Sequence, residues 1–173
     1  MQQWFMVTVV GNDRPGIVAR VTAALFDRGC NLGEASMMRL GGNFTIMRMV
    51  GHAGSAAEVE ATLRPVVDEL GLRLHVDRIE GHLHDHQVPD VRISVFGADR
   101  AGIVAQVTGA LAAAGLNILD LESDVAGSEA APIYIMQIEG TATRGIEPLE
   151  QALAGMAAEG IDTRIEPIDT LIG

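Results

Sequence analysis

The chain opens on an alternation. Apolar and β-branched residues fill Gln3 to Val10 with a period of two, and Gly11 stops them, which predicts a strand. The period then changes to 3.6. Ile17, Val18, Val21, Ala24 and Leu25 fall on one stripe and predict an amphipathic helix, with Asp13 at the N-cap, Pro15 in the first turn and Gly29 as the C′ residue. Two strands follow, Asn31 to Leu40 and Phe44 to Val50, around Gly41-Gly42-Asn43, a hairpin with glycines where positive φ is wanted. Ser55 and Glu58 have capping-box spacing, and Val59, Leu63, Val66, Val67 and Leu70 form a second helical stripe. Pro65 inside that stripe predicts a kink or an early break. Gly71 ends it, and Leu72, Leu74 and Val76 alternate with Arg73, His75 and Asp77 as a half-buried strand.

The same order then recurs. Val91, Ile93 and Val95 alternate; Ile103, Val104, Val107 and Leu111 make a stripe that Gly115 ends. Asn117 to Val125 and Ile133 to Glu139 are strands around a turn of small residues. Ile146, Leu149, Leu153 and Met156 predict one more helix, closed by Gly160, and Ile161 to Glu166 the last strand. The recurrence is literal. Gly11-Asn12-Asp13-Arg14-Pro15-Gly16-Ile17-Val18-Ala19 returns 86 positions later as Gly97-Ala98-Asp99-Arg100-Ala101-Gly102-Ile103-Val104-Ala105, and the likeness runs on to Asn31 and Asn117. A βαββαβ unit with right-handed crossovers lays two helices on one face of a four-stranded antiparallel sheet. The fold class is therefore α+β, two tandem ferredoxin-like units over 1–81 and 90–173, joined by a polar linker, 82–89, that Pro89 closes.

Composition narrows the partners. Of 173 residues 48% are hydrophobic and 20% charged, which suits a packed core rather than disorder. A formal net charge of −11, with no Lys/Arg cluster to offset it, disfavours direct contact with nucleic acid. The single cysteine, Cys30, cannot form an intrachain disulfide. The start of the chain shows no basic region followed by an apolar run, and no apolar stretch is long enough to span a membrane, so a cytoplasmic location is expected. Small units with open sheet edges are expected to pair, so a homodimer is the expected assembly.

The repeated turn is the first candidate for chemistry. A helix N-terminus presents unpaired N–H groups and suits a carboxylate or phosphate, and Gly16 and Gly102 let a ligand approach the backbone. Asp13 and Asp99 either cap their helices or meet a ligand's ammonium group; Arg14 and Arg100 could supply a carboxylate contact. The spacing is not that of a dinucleotide or Walker loop, and no cofactor is expected. Asn31 and Asn117, opening the second strand of each unit, could read an amino acid's polar backbone or simply bond their own turn. His82, His84 and His86 alternate on the linker and are weak metal candidates against a solvated segment. Cys30 reads as a small buried hydrophobe, and Met37, Met38, Met47 and Met49 as core or interface fillers. No triad or paired carboxylate stands in a setting that organises catalysis, so the chain is not read as an enzyme.

The stretch Asn12-Asp13-Arg14-Pro15-Gly16-Ile17-Val18, its helix, and Gly29-Cys30-Asn31-Leu32 resemble the ACT domain, a small regulatory module that binds amino acids. The second copy, Asp99-Arg100-Ala101-Gly102-Ile103-Val104 through Gly115-Leu116-Asn117-Ile118, resembles it nearly as well. Two such units without a catalytic domain, together with Arg39-Leu40-Gly41-Gly42-Asn43-Phe44-Thr45, are similar to the glycine cleavage system transcriptional repressor family. The resemblance implies a small amino acid, such as glycine or serine, bound where units meet side by side. Its contacts would be Asp13, Arg14, Pro15, Gly16 and Ile17 with Asn31, and Asp99, Arg100, Ala101, Gly102 and Ile103 with Asn117. It also implies action through a regulator protein rather than through DNA, and a metabolic enzyme is the partner under the regulatory-subunit alternative. A ligand-free interaction module and an enzyme's regulatory subunit are the alternatives. Ala101 stands where the first copy has Pro15, so the second turn gains an N–H and loses rigidity, and the two sites are expected to differ.

Overall fold

The computed structural model describes residues 2–80, 87–98 and 101–168. The chain divides into two compact units, Met1–His84 and Asp85–Gly173. The first contains β1 (Gln3–Asn12), α1 (Ile17–Asp27), β2 (Asn31–Leu40), β3 (Asn43–His52), α2 (Ala56–Leu70) and β4 (Arg73–Arg78). The second contains β5 (Val91–Ala98), α3 (Ile103–Ala113), β6 (Leu116–Ser128), β7 (Ala131–Ala142), α4 (Glu147–Leu153), a 3-10 turn (Met156–Glu159) and β8 (Ile161–Pro167). Each unit builds one antiparallel sheet, in the orders β2-β3-β1-β4 and β6-β7-β5-β8. The molecule is thus two tandem ferredoxin-like βαββαβ units of the α+β class.

Alternation decides which face is buried. Phe5, Val7 and Val9 turn one side of β1 into the first core, against Ile17, Val21 and Leu25 of α1 and Val59, Leu63 and Val67 of α2. Val91, Ile93 and Val95 do the same against Ile103, Val107 and Leu111 of α3 and Leu149 and Leu153 of α4. Fully burying one such side chain is worth about 1.5–3 kcal/mol, so these stripes dominate the stability of each unit. β2 and β6 stand at the sheet edges and are exposed along nearly their whole length.

Two expectations change. Pro65 neither breaks nor ends α2, which runs on to Leu70; the proline is exposed, while Val59, Leu63, Val67 and Leu70 hold the other side in the core. The last helical stripe is split: α4 stops at Leu153, and Met156 reaches the core from the separate 3-10 turn. Gly155 sits between them, where a helix interior would be weakened by its conformational freedom. Other local signals stand as read. Ser55 and Glu58 form a reciprocal capping box, and Gly41 and Gly42 both take positive φ in the first hairpin. No helix among the described residues is long and apolar enough to cross a membrane.

Candidate functional site

Beyond Asn12 the chain turns through Asp13, Arg14 and Pro15 and enters α1 at Ile17. The N-cap residue is Gly16, at φ 87° and ψ −1°, a left-handed conformation that glycine takes readily. Its carbonyl accepts from the Arg20 N–H at 3.0 Å. No side chain caps α1, which corrects the expectation for Asp13. That residue lies three positions too early to reach the first free N–H groups. Its own N–H donates to the Gly42 carbonyl at 3.1 Å, and its carboxylate pairs with Arg39 at 2.5 Å. Pro15 precedes the helix rather than standing in its first turn. The Arg14 guanidinium lies over Gly71, 3.8 Å from where a β-carbon there would stand, beside the C-terminus of α2, where a cation is favoured.

The second copy repeats the backbone. Gly102 is the N-cap of α3 at φ 90° and ψ −7°, its carbonyl accepts from the Gln106 N–H at 2.9 Å, and no side chain among the described residues caps the helix. Ala101 lies in the turn and Ile103 is buried; Asp99 and Arg100 lie outside the described residues. At both Gly16 and Gly102 the place a β-carbon would occupy has no described atom within 4 Å. Among the described residues the turn surface is open there.

Asn31 and Asn117 sit elsewhere. Asn31 opens β2 opposite Gly51, which faces Trp4 near the start of β1, whereas the turn follows Asn12 at the other end of that strand. Eight residues of strand separate those two levels, roughly 26 Å at 3.3 Å per residue. A single unit therefore does not bring its asparagine to its own turn. The second unit has the same layout, and Asn117 donates through Nδ2 to Gln87 Oε1 at 2.8 Å.

Cys30 is buried, 3.7 Å from His52 Nδ1, and burial pushes its thiol pKa up. Met49 is buried, but Met37, Met38 and Met47 are exposed. His82, His84 and His86 lie outside the described residues, and no group of three or more metal-binding side chains occurs among the described ones.

Two charged residues outside the expected contact set stand on the same sheet. Arg39 and Arg48 both project from the helix-facing side of the sheet, since their cross-strand partners are Phe44 and Val7, both core residues. Arg39 reaches Asp13. Arg48 donates through Nη1 to the Gly33 carbonyl at 3.4 Å, and its buried Nε has no hydrogen-bond partner among the described residues. The signal available for Arg48 was a charge at an alternate position between Ile46 and Val50; for Arg39 it was only nearness to the Gly-Gly turn.

These turns, sheets and helix faces are those of a regulatory module. Residues 3–77 and 91–154 each match a model of the ACT domain, and the chain belongs to the ACT domain family, with two such domains in tandem. It is similar to the glycine cleavage system transcriptional repressor of Escherichia coli (strain K12), at 28% identity over 91% of this chain and 86% of that protein. UPF0237 protein YjhC of Lactococcus lactis subsp. lactis is 40% identical over 41% of this chain and 83% of its own length. A crystal structure of an unknown protein from Galdieria sulphuraria superposes with a TM-score of 0.80 at 26% identity, over 98% of this chain and 100% of that one.

Proposed function

We propose that this protein is a cytoplasmic sensor of a small amino acid, glycine or serine, that regulates transcription of glycine cleavage genes through contact with a partner protein and not by chemistry of its own. The observation that carries this reading is the similarity, along nearly the whole chain, to a glycine cleavage system transcriptional repressor built on the same two ACT domains. The net charge of −11 supports a protein partner over DNA. The open surface at Gly16 and Gly102 favours a ligand site over a packed-shut interaction module, which needs those positions covered.

The candidate ligand contacts are Asp13 to Ile17 with Asn31, and their second-unit counterparts Asp99 to Ile103 with Asn117, two sites expected to differ. Because turn and asparagine lie at opposite ends of one sheet, a complete site takes a neighbour. Antiparallel pairing of the exposed β2 edge with that of a second copy would set Asn31 of one chain beside the turn of the other. Ligand would then favour the paired state by its difference in affinity for the two states.

Calorimetric titration of the full chain with each standard amino acid tests the reading. Heat and a rise in thermal midpoint with glycine or serine are expected; silence across the set at millimolar concentration removes the sensor function.

A further inference from the structure

We propose that Asp13 and Arg39 form a zwitterion site in the first unit, in which Asp13 takes the ammonium group and Arg39 the carboxylate of one α-amino acid. This rests on the amino-acid-sensing reading. It adds the charge class of the ligand, a residue outside the expected contact set, and the copy that binds.

Arg39 stands opposite Phe44, which stands opposite Gly11, so it is level with the end of β1, across the intervening β3. The bond from the Asp13 N–H to Gly42 holds the β1–α1 turn against the β2–β3 turn, so both charges come from segments kept in register. Their side chains are 67% and 23% exposed, and an ion pair that exposed contributes only about 0–1 kcal/mol. It opens at little cost. An α-amino acid carries both complementary charges on one carbon, so one molecule can replace each half of the pair as Arg39 swings outward. A lone amine or a lone carboxylate satisfies one side and strands the other. The guanidinium fork suits a carboxylate in two-pronged contact. The clear space at Gly16, one turn from Asp13, leaves room for the rest of a small ligand.

The second unit lacks the arginine. Gly97 stands opposite Tyr134, and Tyr134 opposite Val125, so Val125 occupies the position that Arg39 holds in the first unit. Among the described residues no cation stands at that place to complement a carboxylate, and one zwitterion per chain is expected, in the first unit.

The test is calorimetric titration of the full chain and of its Arg39→Leu, Arg39→Lys and Asp13→Asn variants with glycine, L-serine, acetate and ethylamine. Support takes one form: glycine or serine binds the native chain at one per chain, acetate and ethylamine do not, and Arg39→Leu and Asp13→Asn each weaken binding roughly 10- to 100-fold, the loss of a charged hydrogen bond. Arg39→Lys, which keeps the charge without the fork, falls between, and serves alone if Arg39→Leu loses its cooperative thermal unfolding. Amino-acid binding that is unchanged in the Arg39 variants overturns the assignment while leaving the sensor reading intact. Acetate binding as tightly as glycine overturns the zwitterion chemistry. If no amino acid binds the native chain, both fall.

Discussion

The two units run the same strand order and enter their first helices through the same left-handed glycine, yet they carry very different charge. Met1–His84 holds eight arginines against nine carboxylates; Asp85–Gly173 holds four against fourteen, so −10 of the formal −11 resides in the second unit. The divergence is concentrated on the edge strand and its neighbour. On the helix-free face, Asp120, Glu122 and Asp124 of β6 lie over Glu139, Gln137 and Ile135, where the first unit has Met38 over Thr45 and Ser36 over Met47. On the helix-facing side the contrast reverses. Ala35 opposite Arg48, Met37 opposite Ile46 and Arg39 opposite Phe44 become Leu121 opposite Ile138, Ser123 opposite Met136 and Val125 opposite Tyr134. The central stripes Phe5, Val7, Val9 and Val91, Ile93, Val95 are constrained by packing and stay apolar in both copies, whereas an edge strand with few neighbours is free to take a different chemistry in each.

The largest expected effect comes from exchanging the paired positions Arg48 and Ile138. Ile138 is fully buried among apolar groups, so Ile138→Arg strands a charge there and should cost about 3–5 kcal/mol in urea unfolding. The reverse change, Arg48→Ile, removes a buried N–H that lacks a partner and should stabilise the first unit by about 1 kcal/mol. A loss of stability in Arg48→Ile would mean that the bond to Gly33, which spans an irregularity in β2, holds that edge.

Next in size are Gly16→Ala and Gly102→Ala. Both glycines lie in the left-handed region with no described atom near the new methyl group, so each change costs backbone strain alone, about 1–3 kcal/mol, and the same in both units. Unequal costs by thermal unfolding would reveal a neighbour over one turn and break the symmetry.

The smallest effect is in pH. Glu58 is held below the usual carboxylate value of 4.5 by the Ser55 N–H and hydroxyl, and Glu69 by its hydrogen bond from Arg20. Both lie in the first unit. A carboxylate depressed in the folded state stabilises it above the unfolded pKa, and that contribution fades as pH falls through the folded value. The first unit should therefore lose stability below about pH 4.5, and Glu58→Gln should flatten that slope. An unchanged slope in the variant would show that Glu58 does not carry it.

Much of this was legible in the residues. The change of period from two to 3.6, the capping box at Ser55, the Gly41-Gly42 hairpin and the repeat at 86 positions are local signals, each needing only a few neighbours along the chain. They determined two βαββαβ units. The misreadings were also local in origin. Asp13 resembles a cap because caps are polar residues before a helix, but the helix begins one residue beyond Gly16, out of its reach. Pro65 resembles a break because its lost backbone bond is visible in sequence, while the core stripe that outweighs it is not.

What only the tertiary structure decided depends on pairing between distant strands. In Phe44-Thr45-Ile46-Met47-Arg48-Met49-Val50 both alternate sets contain apolar residues, so the sequence does not say which side meets the helices. Register with Phe5, Val7 and Val9 settles it, and in settling it puts Arg48 on the core side and Met47 on the open one. The same register carries Arg39 to Asp13 and leaves Asn31 at the far end of the sheet. A chain specifies its elements through near neighbours; the chemistry of its sites is assembled by contacts between residues tens of positions apart, and those exist only once the sheet has formed.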